Sequence, residues 1–207
     1  MANLSIVYPF YNNHAAMDDL KPRLCKTPCD IVIVDDASKV PLTVECPNVR
    51  VIRIEVDVPW NQPAASNLGI KSLSPDDIVL RLDIDHWVEP EEFESFRKAA
   101  DRIPKRTLLQ FRRRQCDEKI MKPNMNMLMM RVSDFVQIGG YDEDFCGSYG
   151  YDDREFVERA RHKGFSVSVY QDAMLCLDAN SGTKSLSRDT SINKRKYLLK
   201  RKEMTNK

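Results

Sequence analysis

The chain has 207 residues, 42% of them hydrophobic and 30% charged, with a net charge of +1. That length suits one domain with a sizeable core, and the composition excludes a disordered or fibrous chain. The near-neutral balance implies no nucleic-acid or membrane partner, and no apolar run approaches the ~20 residues of a membrane span.

Leu4 to Tyr8 is an apolar run stopped by Pro9, which predicts a buried strand. A helix is expected over His14 to Leu24, and β-branched strands over Ile31 to Val34 and Val49 to Ile54. Pro63 to Leu73 reads as a helix, and Ile78 to Leu82 as a fourth strand. A helix from Glu91 to Ala100 follows Pro90, a good start signal. Strands and helices alternating at this spacing predict βαβ units and a mostly parallel sheet. The second half is shorter-grained. Strands are expected at Thr107 to Phe111, Met127 to Met130 and Ser166 to Tyr170. Helices are expected at Phe135 to Ile138, Asp152 to Lys163 and Asn193 to Lys202. The methionines around Met127 read as pliable core or as an adaptable acceptor wall.

Six cysteines are scattered through these elements, and Cys25 and Cys29 form no zinc-type pattern with a second pair. With a strand starting almost at Met1 and no leader before it, they read as reduced thiols of a cytoplasmic protein. From Thr183 onward, Lys184, Arg188 and seven further lysines and arginines face only Asp189 and Glu203. Residues 183–207 are therefore expected to be a basic tail beyond a domain of residues 1–182. It reads either as a lid that brings Arg188 or Lys194 to a phosphate, or as a solvated helix leading to a further domain.

Acidic residues gather where the strands end. The second strand runs into Asp35 and Asp36, and the fourth into Asp83, Ile84, Asp85 and His86. In open α/β sheets ligands bind beyond the carboxyl ends of parallel strands, so both acidic ends open into one cleft. Carboxylates collected there need a cation, and a diphosphate would add its own negative charge. A divalent ion, Mg²⁺ or Mn²⁺, between Asp83, Asp85 and a diphosphate resolves the conflict, since hard cations prefer oxygen ligands. A lone Asp-x-Asp is otherwise a common loop cap, and His86 reads equally as ligand or strand cap. Further on, the glycines and aromatics from Gly139 to Tyr151 suit sugar stacking and lead into Asp152 and Asp153 at a helix start. A carboxylate there serves as a general base or as an ordinary N-cap. Trp60 and Trp87 read as core, with sugar stacking the alternative.

Together these segments resemble the GT-A glycosyltransferases of the inverting family-2 type over nearly the whole chain. The match runs through Ile6 to Asn12, Val34-Asp35-Asp36-Ala37-Ser38, Asn61 to Ile70, and Leu82-Asp83-Ile84-Asp85. The stretch Gly139 to Phe156 resembles the acceptor segment of galactosyl- and N-acetylgalactosaminyltransferases. The resemblance implies a Rossmann-like α/β GT-A fold, with a mostly parallel sheet flanked by helices. It also implies a metal-dependent hexosyl transfer from a nucleotide sugar, UDP-linked by preference, to a glycan hydroxyl. Carried over, Pro9, Tyr11, Asn67 and Asp36 or Asp35 would sit at the nucleotide. Asp83 and Ile84 would border the ribose and metal, and Asp85 would bind the metal. Asp153, or its neighbour Asp152, would be the base. Two departures stand out. Ser66 occupies a place where the family often has Arg, and Asp178 stands where relatives often supply a late metal-binding His. The rivals are a sugar-nucleotide nucleotidyltransferase and a non-catalytic sugar-binding module. The first normally carries a glycine-rich basic loop after strand one, where this chain has Pro9 to Asn13.

Overall fold

The computed structural model describes residues 2–178 and 187–205. The expected domain boundary at 182/183 and residues 183–186 and 206–207 of the expected tail lie outside the described residues. The first half contains β1 (Leu4–Phe10), α1 (His14–Leu24), β2 (Asp30–Asp36), β3 (Val49–Ile54), α2 (Gln62–Lys71), β4 (Ile78–Arg81) and β5 (His86–Trp87). A 3₁₀ turn at Pro90–Glu92 leads into α3 (Phe93–Arg102). The second half contains β6 (Thr107–Gln115), β7 (Ile120–Met121), β8 (Leu128–Arg131), α4 (Val132–Ile138), α5 (Asp152–His162), β9 (Ser166–Leu177) and α6 (Ser191–Thr205).

One sheet runs in the order β3-β2-β1-β4-β8-β6-β9-β5, with β7 added to β6. The β3-β2-β1-β4 half is parallel, as the alternating elements predict. Beyond it β8 pairs antiparallel with β4 and β6, β6 and β9 are parallel, and β5 closes the edge antiparallel to β9. The sheet is therefore mixed, and helices flank it on both faces. Strand period decides the layers. Ile6, Tyr8, Ile31 and Ile33 pack with Met17, Leu20 and Phe96, while Val7, Val32 and Val34 pack with Ala65, Ile70, Phe135 and Phe156. Met127, Met129 and Met130 are buried core.

Four local outcomes differ from the sequence expectations. Pro9 does not stop β1. Val7 accepts from Leu82 on the β4 side, so Pro9 faces the same side, past the end of β4, and no ladder bond is lost. Strands β6 and β9 run well past Phe111 and Tyr170, with a register shift at Phe111/Arg112. Their polar far ends hide the strand pattern. The basic helix α6 is docked rather than solvated on all sides, with Asn193 and Tyr197 buried. Cys25 is bonded to Cys46, tying the end of α1 to the loop before β3 across a Cα separation of 5.2 Å. This corrects the reading of all six cysteines as reduced thiols. Disulfides persist in oxidising surroundings, so that argument for a cytoplasmic location loses Cys25 and Cys46. No helix among the described residues is long and apolar enough to cross a membrane.

Helix α2 lies closest to the sheet at Gly69. A Cβ there would sit 2.6 Å from Val7 Cγ1 and 2.9 Å from Val34 Cγ2. Gly69→Ala is expected to lower unfolding stability by about 1–3 kcal/mol through overpacking, despite the better helix propensity of Ala. Urea denaturation of the two proteins measures the difference.

Candidate active site

The carboxyl ends of β1, β2 and β4 and the start of α5 surround a cleft of about 710 Å³. Of the residues singled out in the sequence, Pro9, Tyr11, Asp36, Asp83, Ile84, Asp85, Asp152 and Asp153 line it. Asp35, Asn67 and Asp178 do not.

Asp35 and Asp36 separate because neighbouring strand residues point to opposite faces. Asp35 is fully buried, accepting from the Ser38 and Leu42 amides at 3.0 Å each and from Arg53 Nη1 at 2.6 Å. Burial pushes its carboxyl up, but these bonds outweigh burial and hold it below the usual range. It shapes the loop after β2 and is unavailable to a ligand, which corrects its place among the nucleotide-facing residues. Asp36 faces the cleft and accepts from Asn61 Nδ2 at 2.7 Å. Burial, and then the nearby Asp57 and Asp35, push it up to about 6. The Tyr11 hydroxyl donates to Asp57 at 3.3 Å on the same wall.

Asn67 is likewise reassigned. Its amide accepts from the Tyr141 N–H at 2.8 Å and donates to the Tyr141 carbonyl at 2.9 Å and to Glu143 at 2.7 Å. It pins the start of the 139–151 loop from behind the cleft.

Asp83 is held on both oxygens. Oδ1 accepts from Arg81 Nη1 and Gln62 Nε2, each at 2.7 Å, and Oδ2 from Asn126 Nδ2. Among the described residues Asp85 is engaged through one oxygen, with Oδ1 2.6 Å from His86 Nδ1. Asp178 is set beside it by backbone, donating its N–H to the Asp85 carbonyl at 3.0 Å. His86 itself is buried in the strand-end wall, with Nε2 lacking a hydrogen-bond partner among the described residues.

Across the cleft, Tyr151 in left-handed backbone conformation turns the chain into α5. Burial pushes the Asp152 carboxyl up, while Arg81 and the backbone amides of the helix start pull it down. Asp153 is pushed well above the ordinary carboxylate range by burial and then by the charge of Asp152, against the pull of Arg81. Its Oδ1 is buried with no hydrogen-bond partner among the described residues. Asp153 thus keeps at the cleft an oxygen that no other described group engages. Trp60 and Tyr149 meet at the cleft with ring centroids 4.6 Å apart, and Arg188 lies 5.9 Å from the Tyr149 ring. Trp60 is therefore part of the cleft wall, while Trp87 is buried beneath Arg23.

Sequence reasoning missed Arg81, Gln62, Asn126, Arg113 and Asp57. The signal for Arg81 was present. A charged residue within the apolar run Ile78 to Leu82 must have buried partners. Its Nε donates to Ser66 Oγ at 3.3 Å. A guanidinium therefore does lie beside the position where an arginine was expected, delivered from β4 instead of α2.

Residues 116–176 match a family described as the N-terminal domain of galactosyltransferase. No curated protein sequence gives a significant match. Among solved structures, Staphylococcus aureus TarS superposes with a TM-score of 0.66 at 16% identity, over 86% of this chain and 37% of that one. A mannosyltransferase from Pyrobaculum calidifontis, solved with GDP-Man and Mn²⁺, gives 0.63 at 14% identity over 88% of this chain and 58% of the other. GalNAc-T7, solved with UDP, GalNAc and Mn²⁺, gives 0.61 at 13% identity over 86% and 44%. The chain has the GT-A glycosyltransferase fold. It spans between 37% and 58% of the length of these three structures.

In this GT-A frame, no group of three or more His, Cys, Asp and Glu side chains is placed to hold a metal among the described residues. A cation that shares its shell between one carboxylate, substrate phosphates and water needs no such group. Asp85 fits that demand, whereas both oxygens of Asp83 are occupied by hydrogen bonds from the chain.

The raised carboxyl of Asp36 fixes a sign. Its neutral form is favoured by folding, so its contribution to stability is present below an unfolded value of about 3.9 and is lost as pH rises through about 6. Asp36→Asn keeps the Asn61 contact without the charge. Its melting temperature is expected to rise relative to the parent between pH 4 and pH 7, and thermal melts at both pH values check this.

Proposed function

We propose that this chain transfers a sugar, UDP-linked by preference, from a nucleoside diphosphate to a hydroxyl of a glycan acceptor, with inversion at the anomeric carbon. The observation that carries the proposal is the uncommitted, upshifted carboxyl of Asp153 in one cleft with Asp36 and Asp85. A general base must be uncommitted, and it works best when its pKa approaches the working pH. A passive sugar-binding module gives no reason to keep such a buried, unsatisfied carboxyl.

Asp36 and Tyr11 would receive the nucleoside, beside Pro9. Asp85 would hold the divalent ion together with the diphosphate. When bound, that ion neutralises charge on the leaving diphosphate. Asp83, fixed by Arg81, Gln62 and Asn126, would set the position of the segment and meet the ribose. Arg113 and Arg188 are the other cations facing the same space. Asp153 takes the proton from the acceptor hydroxyl. The hydroxyl oxygen forms the new bond to the anomeric carbon as the bond from that carbon to the diphosphate breaks. Trp60 and Tyr149 offer flat walls on the acceptor side.

Two substitutions separate the roles. Asp153→Asn is expected to cost about 10²–10⁴ in turnover while UDP binding in Mn²⁺ survives. Asp85→Ala is expected to remove the enhancement of UDP binding by Mn²⁺. Calorimetry and a transfer assay over a panel of nucleotide sugars read both. Near-normal transfer by Asp153→Asn would exclude this base. The acid limb of the parent transfer rate should also lie above the range of an ordinary exposed carboxylate, because Asp153 must be ionised to act.

A further inference from the structure

The segment that brings Asp152 and Asp153 to the cleft has no regular structure between the 3₁₀ turn at Glu143–Phe145 and α5. Three of its residues, Gly147, Gly150 and Tyr151, have left-handed backbone conformations, with φ of 89°, 83° and 69°. Such a turn leaves backbone carbonyls without a ladder partner, and buried carbonyls demand one.

The partner comes from α6. Asn193 is fully buried, and its Nδ2 lies 2.9 Å from the Phe145 carbonyl, 2.7 Å from that of Ser148 and 2.9 Å from that of Gly150, so its two N–H groups are shared among three acceptors. One turn on, Tyr197 packs on the Tyr151 ring at 5.2 Å and donates to Glu158 of α5 at 2.6 Å. One turn further, Lys200 bridges Asp142 at 2.6 Å and Asp144 at 2.7 Å. Positions 193, 197 and 200 fall on one helix face, so a single stripe of α6 grips the 142–151 loop along its length. The remaining sequence of α6, basic and exposed, gives no hint of this.

We propose that α6 is the frame of the acceptor loop and that Asn193 is a positioning residue. Its amide fixes the Phe145–Gly150 turn, and through that turn the placement of Tyr149 and of the Asp153 carboxyl relative to an acceptor hydroxyl. This rests on the glycosyltransferase reading for its effect on transfer, but not for its effect on the loop. A framed loop favours attack by a bound sugar hydroxyl over attack by water. An unframed one lets the two approach each other in rate.

The test substitutes Asn193→Ala. Asn193→Leu, which keeps roughly the size and removes the donors without burying a charge, serves if the alanine variant does not fold. Amide hydrogen exchange is expected to accelerate about tenfold across residues 145–151, the counterpart of one ordinary hydrogen bond lost, while β1 to β4 keep their protection. UDP binding in Mn²⁺ is expected to be unchanged. The ratio of sugar transfer to donor hydrolysis is expected to fall by about tenfold or more, as it does when a reacting group is misplaced. Exchange in residues 145–151 and a transfer-to-hydrolysis ratio both within about twofold of the parent would overturn the proposal. Faster exchange in that loop, in a chain whose parent transfers no sugar from any nucleotide sugar, would uphold the frame and remove the glycosyltransferase reading instead.

Discussion

The site depends on one buried cation. Arg81 is 1% exposed on β4, and its guanidinium sits among Asp83, Asp152 and Asp153. Three carboxyl groups facing one cleft repel one another, and an unpaired buried charge is costly enough that folding would neutralise it. Arg81 fixes Asp83 by a 2.7 Å bond and reaches the Asn126 carbonyl and Ser66 as well. It draws the Asp152 and Asp153 carboxyls down while burial pushes them up. Burial and the charge of Asp152 thus push the Asp153 carboxyl up against the pull of a single guanidinium. A lysine in its place would keep the charge but lose the fork of donors that divides it among several acceptors.

Around that cation the two sides of the cleft are built differently. One side is made of strand ends locked into a parallel ladder, with Asp35 and Arg53 bracing the loop behind Asp36. The opposite side is a loop shaped by residues far off in sequence. Asn67 holds one end from α2, and α6 holds the remainder. The 2.8 Å bond from the Gly147 N–H to the Pro59 carbonyl joins the two sides at the rim, next to the Trp60 and Tyr149 rings.

What was legible in the sequence was what local chemistry decides. Apolar runs that end in acids announced β2 and β4, and with them Asp36, Asp83 and Asp85. Glycine and tyrosine before Asp152 announced the turn into α5. The choice between Asp35 and Asp36 needed the face of the strand, which two adjacent identical residues do not reveal. Asn67 resembled a ligand contact because its partners, Tyr141 and Glu143, lie more than 70 residues away. Asn193 was hidden for the same reason, one amide among lysines. The Cys25–Cys46 bond was invisible because spacing alone does not say which thiols meet. Arg81 was legible in principle, as a charge inside a core strand.

The close seat of Gly69 on Val7 and Val34 has a consequence for how such a molecule changes over evolutionary time. With no side chain between helix and sheet, α2 has no room to slide, and Gln62 at its start stays in register with Asp83. The 142–151 loop hangs instead from side-chain contacts on α6. Drift is thereby channelled. The strand-end wall tolerates little change in the packing beneath it, while the hung wall answers to the few α6 side chains that hold it.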